Sequence, residues 1–124
     1  MTKAITTPNT VMATVDGTDI KLKLMDCGWV RGTLDGHRFL ARVSNYDSDF
    51  GIEEGRVYTL EIRQIAKAGS KGMCIVNYDR GWNIRPEPRD FAVYEKVLRA
   101  LDTVPLRAEH ELDADLSARN IYGG

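Results

Sequence analysis

Two cysteines and two histidines are all the thiol and imidazole chemistry that these 124 residues contain. Cys27 and Cys74 have no Cys-x-x-Cys neighbour and no histidine pair at zinc spacing, which sets aside structural zinc and thioredoxin-type redox chemistry. His37 follows a turn signal and His110 lies in a weakly apolar stretch, neither with a supporting motif. Hydrolysis by a nucleophile and base is therefore left without a constellation, and the many carboxylates show no spacing that marks a catalytic pair. A phosphate-cradling glycine loop is missing too, because Gly51 to Gly55 has neither the lysine nor the following helix. The expectation is a protein that is not an enzyme and that carries no cofactor.

No apolar run approaches the ~20 residues that a membrane-spanning helix needs. The start Met1-Thr2-Lys3-Ala4 lacks the apolar stretch of a signal peptide, so the sequence reads as cytoplasmic, without a membrane partner and with two reduced, mostly buried thiols. An excess of one charge is also absent: 17 lysines and arginines face 18 aspartates and glutamates, a net charge of -1 that gives no global basic field. Only the end is lopsided, where Arg107 and Arg119 face Glu109, Glu111, Asp113 and Asp115.

What is present is ordinary globular composition, 43% hydrophobic and 28% charged, in a length that suits one core. The chain divides into a flexible start over 1–9, a single α+β domain over 10–102 and an acidic segment over 103–124 that is partly helical, from about Glu109 to Arg119.

Alternating, partly β-branched residues predict a hairpin of Thr10 to Val15 and Asp19 to Leu24 around Asp16-Gly17, a dipeptide suited to the positive φ of a tight turn. The device recurs with Trp29 to Leu34, Asp35-Gly36 and His37 to Val43. Counting outward from that turn sets Gly32 opposite Phe39 and Trp29 opposite Arg42. Val30, Leu34, Phe39, Ala41 and Val43 then share one face, and Trp29, Arg31, Arg38 and Arg42 share the other. Ser44 to Gly55 reads as a long functional or mobile loop. Arg56 to Ile65 is a strand with Tyr58, Leu60 and Ile62 on one face, followed by a flexible turn over Ala66 to Gly72 and a central strand from Met73 to Tyr78. Beyond Pro86 and Pro88, Asp90 is placed to cap a helix whose apolar stripe is Phe91, Tyr94, Val97, Leu98 and Leu101, stopped by Pro105. The fold expected is a twisted antiparallel sheet, a hairpin meander of about five or six strands, with a C-terminal helix packed on one face.

Asn45, Asp47 and Asp49 alternate like the first ligands of a calcium loop, but Phe50 stands where that loop needs glycine and Arg56 where it needs glutamate. Solvated carboxylates are the simpler reading, and no metal site is expected. Three sets of residues suggest binding. Trp29 and Arg42, with Arg31 and Arg38, combine an aromatic with cations on a strand face, as single-strand nucleic-acid binders do, although solvent-facing strands commonly carry arginine and the net charge is near zero. Asn77-Tyr78-Asp79-Arg80-Gly81-Trp82 is the densest polar and aromatic run, serving either as a turn or as a ligand clamp. If its turn and the Ser44 to Gly55 loop share one end of the sheet, Tyr46, Asp47, Arg56, Arg80 and Trp82 would line a common pocket for an anionic, nucleotide-like molecule.

Several of these residues, namely Trp29-x-x-Gly32, Gly36-x-x-Phe39-x-Ala41-x-Val43, Ser48-x-Phe50-Gly51-Ile52-x-x-Gly55-Arg56-Val57, Leu60-x-Ile62 and Asn77 to Trp82 with Pro86, together resemble an uncharacterised family of short bacterial and phage domains. The likeness runs from about Trp29 to Leu101. It implies a small α+β domain and points to a phage or mobile-element origin, with no activity attached. By analogy with small phage proteins, the first expectation is an interaction module, as a single chain or a homodimer, that binds a host protein such as a defence complex through its sheet edge or long loop. Binding of a nucleotide-like molecule is the second expectation, and of single-stranded nucleic acid the third.

Overall fold

The computed structural model describes residues 9–66 and 72–106. Seven strands, β1 (Thr10–Val15), β2 (Thr18–Leu24), β3 (Trp29–Leu34), β4 (His37–Val43), β5 (Val57–Gln64), β6 (Cys74–Asp79) and β7 (Trp82–Ile84), precede one α-helix, α1 (Phe91–Leu101). They form one open antiparallel sheet in sequence order, a pure meander. Both predicted two-residue turns have positive φ at each central residue, 51° and 79° at Asp16-Gly17 and 49° and 76° at Asp35-Gly36, the pair of values that matches the twist of the flanking strands. The register counted from the second turn holds: Trp29 pairs with Arg42, Gly32 with Phe39 and Leu34 with His37.

One face of the sheet is apolar throughout. Ile20, Leu22, Val30, Phe39, Ala41, Leu60, Ile62 and Val76 are almost wholly buried there, beneath Tyr94, Val97, Ala100 and Leu101 of α1. Pairing between β2 and β3 covers only Lys23–Arg31 and Leu24–Val30, whereas β1 and β2 pair over six residues. The turn end of the first hairpin is thereby free of β3 and meets the helix, where Arg99 donates to both carboxylate oxygens of Asp16 at 3.0 and 3.2 Å.

Four local expectations need correction. The strand count is seven, since Trp82–Ile84 adds a short edge strand too brief to show alternation. Asp90 does not cap α1 with its side chain: a 3₁₀ turn, Pro88–Asp90, leads into the helix, and Asp90 already has helical backbone angles rather than the extended ones that swing a capping side chain over the first amides. Phe91 is 48% exposed at the helix edge instead of buried. Cys27 is exposed and Cys74 half-buried, both as free thiols, because Cys27 occupies a positive-φ turn position at the end of the sheet. Of the segments expected to be a flexible start over 1–9, a flexible turn over Ala66 to Gly72 and a helical stretch from about Glu109 to Arg119, residues 1–8, 67–71 and the whole of the last lie outside the described residues. No helix among the described residues is long and apolar enough to cross a membrane.

Two predictions follow from this packing. A Cβ at Gly32 would lie 2.6 Å from Phe39 Cζ and 2.7 Å from the Lys21 carbonyl oxygen, so Gly32→Ala forces backbone as well as a core ring to move. Its cost is about 1 to 3 kcal/mol, read as a lower midpoint in urea denaturation; an unchanged midpoint contradicts the close approach. The Tyr94 phenol is pushed from 10.0 to about 12, chiefly by burial and secondarily by the Glu53 carboxylate, with Arg85 opposing. The native state therefore holds a proton that the unfolded chain releases, and stability falls as pH rises from the unfolded value toward the folded one. Tyr94→Phe should flatten that alkaline decline in denaturation curves compared across the same interval.

Candidate functional site

The helix covers one face only, so the alternation that buries apolar residues on β2 to β5 sends the polar set to the other. Lys21, Lys23, Arg31, Arg38, Arg42 and Arg63 project from that open face, against Asp19 and Glu61. The net charge near zero thus conceals a basic surface. The register also sets like charges face to face, Lys23 against Arg31 and Arg38 against Arg63. Directly opposed like charges destabilise a sheet. Glu61 relieves Arg63 at 2.8 Å, while Lys23, Arg31 and Arg38 have no ion pair among the described residues.

At one end of this face Arg42 is fixed between two aromatic rings. Its Nε donates to the Cys27 carbonyl at 2.8 Å, and its guanidinium carbon lies 5.6 Å from the ring centres of both Trp29 and Tyr58. Trp29 was expected here; Tyr58 was not, having been assigned to the core face with Leu60 and Ile62. The reason is a β-bulge. Arg42 pairs with Thr59 and Val43 with Val57, which leaves Tyr58 as the extra residue and turns its side chain to the open face. A bulge of this kind leaves no mark in hydrophobic alternation beyond one aromatic out of step.

Trp29, Arg42, Tyr58, Thr59, Glu61, Asn77, Asp79, Arg80 and Asn83 line an open concavity of about 490 Å³. Arg80 reaches it from the turn after β6, where its φ is 59° and its backbone N–H donates to the Tyr58 carbonyl at 2.9 Å. Its guanidinium is 3.7 Å from Asp79 and mostly exposed. Asn83 Nδ2 donates to Asn77 Oδ1 at 2.9 Å, forming an amide pair on the same wall. Asn83 is itself the extra residue between the Asn77–Ile84 and Tyr78–Trp82 pairs, which is why the sequence pattern did not single it out.

The common pocket expected from the two loops does not form. The turn after β6 and the Ser44 to Gly55 loop do share one end of the sheet, joined by a hydrogen bond from the Tyr78 hydroxyl to the Phe50 carbonyl at 2.8 Å. Their side chains nevertheless diverge. Trp82 packs on the helix side, 5.1 Å from the Tyr78 ring centre and 5.8 Å from that of Tyr94, with the Arg85 guanidinium over it at 5.0 Å. Arg56 donates to three peptide carbonyls, Ser44 at 2.9 Å, Asp102 at 2.9 Å and Val104 at 2.8 Å. Tyr46 and Asp47 are exposed and line neither this concavity nor the smaller one, about 230 Å³, between the loop and α1. The loop itself is closed, with Ser48 N–H on the Gly55 carbonyl and Ile52 buried as a plug.

Among the described residues no three His, Cys, Asp or Glu side chains come together as a metal site requires. The architecture is α+β, an open antiparallel sheet with one helix on one face. The chain belongs to the family described as a domain of unknown function (DUF7678), whose model matches residues 28–102. That segment begins after β2, so the first hairpin lies outside it. No curated protein and no solved structure matches the chain.

The role found for Arg56 is mechanical and can be tested as such. Arg56→Lys keeps the charge but loses the planar fork that reaches three carbonyls, and should lower stability by about 2 to 3 kcal/mol in urea denaturation. An unchanged midpoint would release Arg56 from this structural duty.

Proposed function

We propose that this protein is a non-catalytic binding module whose open sheet face takes single-stranded nucleic acid. The observation that carries this reading is the pair of like-charge oppositions, Lys23 with Arg31, which no carboxylate relieves, and Arg38 with Arg63, where Glu61 pairs with Arg63 alone, on the face that also holds the Trp29–Arg42–Tyr58 stack. Such oppositions cost stability in the free protein, and a polyanion lying across the strands would relieve both at once. Trp29 and Tyr58 supply ring faces that bases of any sequence can stack on, and Arg42 supplies a flat cation between them.

Two features favour this ligand over the other expectations. The concavity is open and continuous with the charged face, which suits an extended strand better than an enclosed mononucleotide. The rings of Trp29 and Tyr58 share the open face with Lys23, Arg31 and Arg38, a combination of ring faces and cations that suits bases joined by phosphates better than an apolar protein-docking surface. The family description carries no activity, so neither a phage origin nor action on a host defence protein enters this reading.

Fluorescence anisotropy with labelled single-stranded oligonucleotides is the test. Binding should weaken as salt rises, with a log–log slope near -2 if about three phosphates are neutralised. Arg31→Ala with Arg38→Ala should weaken it about tenfold or more and flatten that slope, while raising stability by a few tenths of a kcal/mol because the oppositions are gone. Absence of binding at low salt, or affinity indifferent to both substitutions, rules the reading out; equal affinity for a mononucleotide would replace the strand with a small ligand.

A further inference from the structure

The two edges of the sheet are built differently. β7 is three residues long, bulged at Asn83 and followed by Pro86 and Pro88, all of which discourage a further strand. β1 has none of these guards. It is six residues, Thr10-Val11-Met12-Ala13-Thr14-Val15, without proline, bulge or charge.

The hydrogen-bond phase of β1 follows from one contact. Leu24 N–H donates to the Asn9 carbonyl at 2.7 Å, so residues 9 and 24 form a hydrogen-bonded pair just beyond the Thr10–Lys23 step of the register. Pair types alternate along an antiparallel ladder. Val11, Ala13 and Val15 therefore spend their backbone groups on β2, and the N–H and C=O groups of Thr10, Met12 and Thr14 point away from the sheet. No described residue pairs with that side of β1.

We propose that β1 pairs antiparallel with β1 of a second copy of this chain, about a two-fold axis at Met12. The five residues from Thr10 to Thr14 are self-complementary in that arrangement. Met12 meets Met12 and Thr10 meets Thr14 in hydrogen-bonded pairs that use the outward groups, and Val11 meets Ala13 on the apolar side. No like charges oppose across the axis, and Met12, 58% exposed in the single chain, acquires an apolar partner. A two-fold axis of this kind uses the same patch on both copies, as closed dimers do. The hairpin that supplies this edge precedes residue 28, outside the segment that the family model matches, so the pairing is a property of this chain's own addition. It rests on backbone phase and edge sequence alone, independently of what the open face binds.

The test is sedimentation velocity on the full chain up to about 100 μM, since a strand-edge contact is small by the standard of stable interfaces. The wild type should sediment at twice the chain mass, with the amides of Thr10, Met12 and Thr14 slow to exchange. Met12→Pro removes only an N–H that points away from β2 and should give a folded monomer by circular dichroism. Met12→Lys, which sets two ammonium groups face to face, should do the same and decides the matter if the proline variant does not fold. Ile84→Lys, on the opposite edge, should stay dimeric. A monomeric wild type at the highest concentration, a dimer that survives both Met12 substitutions, or fast exchange of those three amides in a dimer overturns the proposal.

Discussion

The guanidinium of Arg56 ties the end of α1, at Asp102 and Val104, to the place where β4 and β5 already pair, at Ser44 and the start of β5. Peptide carbonyls past a helix end lack intrahelical donors, and a planar cation that satisfies two of them at once also meets the negative end of the helix dipole. With α1 anchored there and its last turn tied through Arg99 to Asp16, the helix lies across the sheet and closes one face over the apolar core.

Everything on the other face follows from that choice. One helix cannot cover both sides, so the polar half of each strand is left facing solvent, and its composition is free of packing demands. The face that results is not an average surface. Cations outnumber carboxylates on β2 to β5, two like-charge oppositions are built into the register, and an arginine is clamped between two rings. Features that cost stability and are not needed for folding are where binding is best sought.

The long loop illustrates how a segment of loop composition can be structural. Gly51 and Gly55 permit an approach in which a Cβ on Gly51 would lie 2.0 Å from the Gly55 carbonyl oxygen, and Ile52 is driven into the core by the tight turn. The polar residues that gave Ser44 to Gly55 its functional look, Tyr46 and Asp47 among them, are left at the surface, while the binding geometry assembles on strands.

Period-two patterning and Asp-Gly turns determined the meander, the pairing of Trp29 with Arg42, and the faces of β2, β3 and β4, because each of these depends on residues within a few positions of one another. The apolar stripe at helical spacing likewise determined α1. Only the tertiary structure decided that Arg56 serves the helix end 46 and 48 residues away and that Trp82 turns to the helix side. It also decided that a single extra residue in β5 rotates Tyr58 onto the open face. A bulge is set by the match between two strands, and a long-range hydrogen bond by which segments arrive at one place; neither is a property of local sequence.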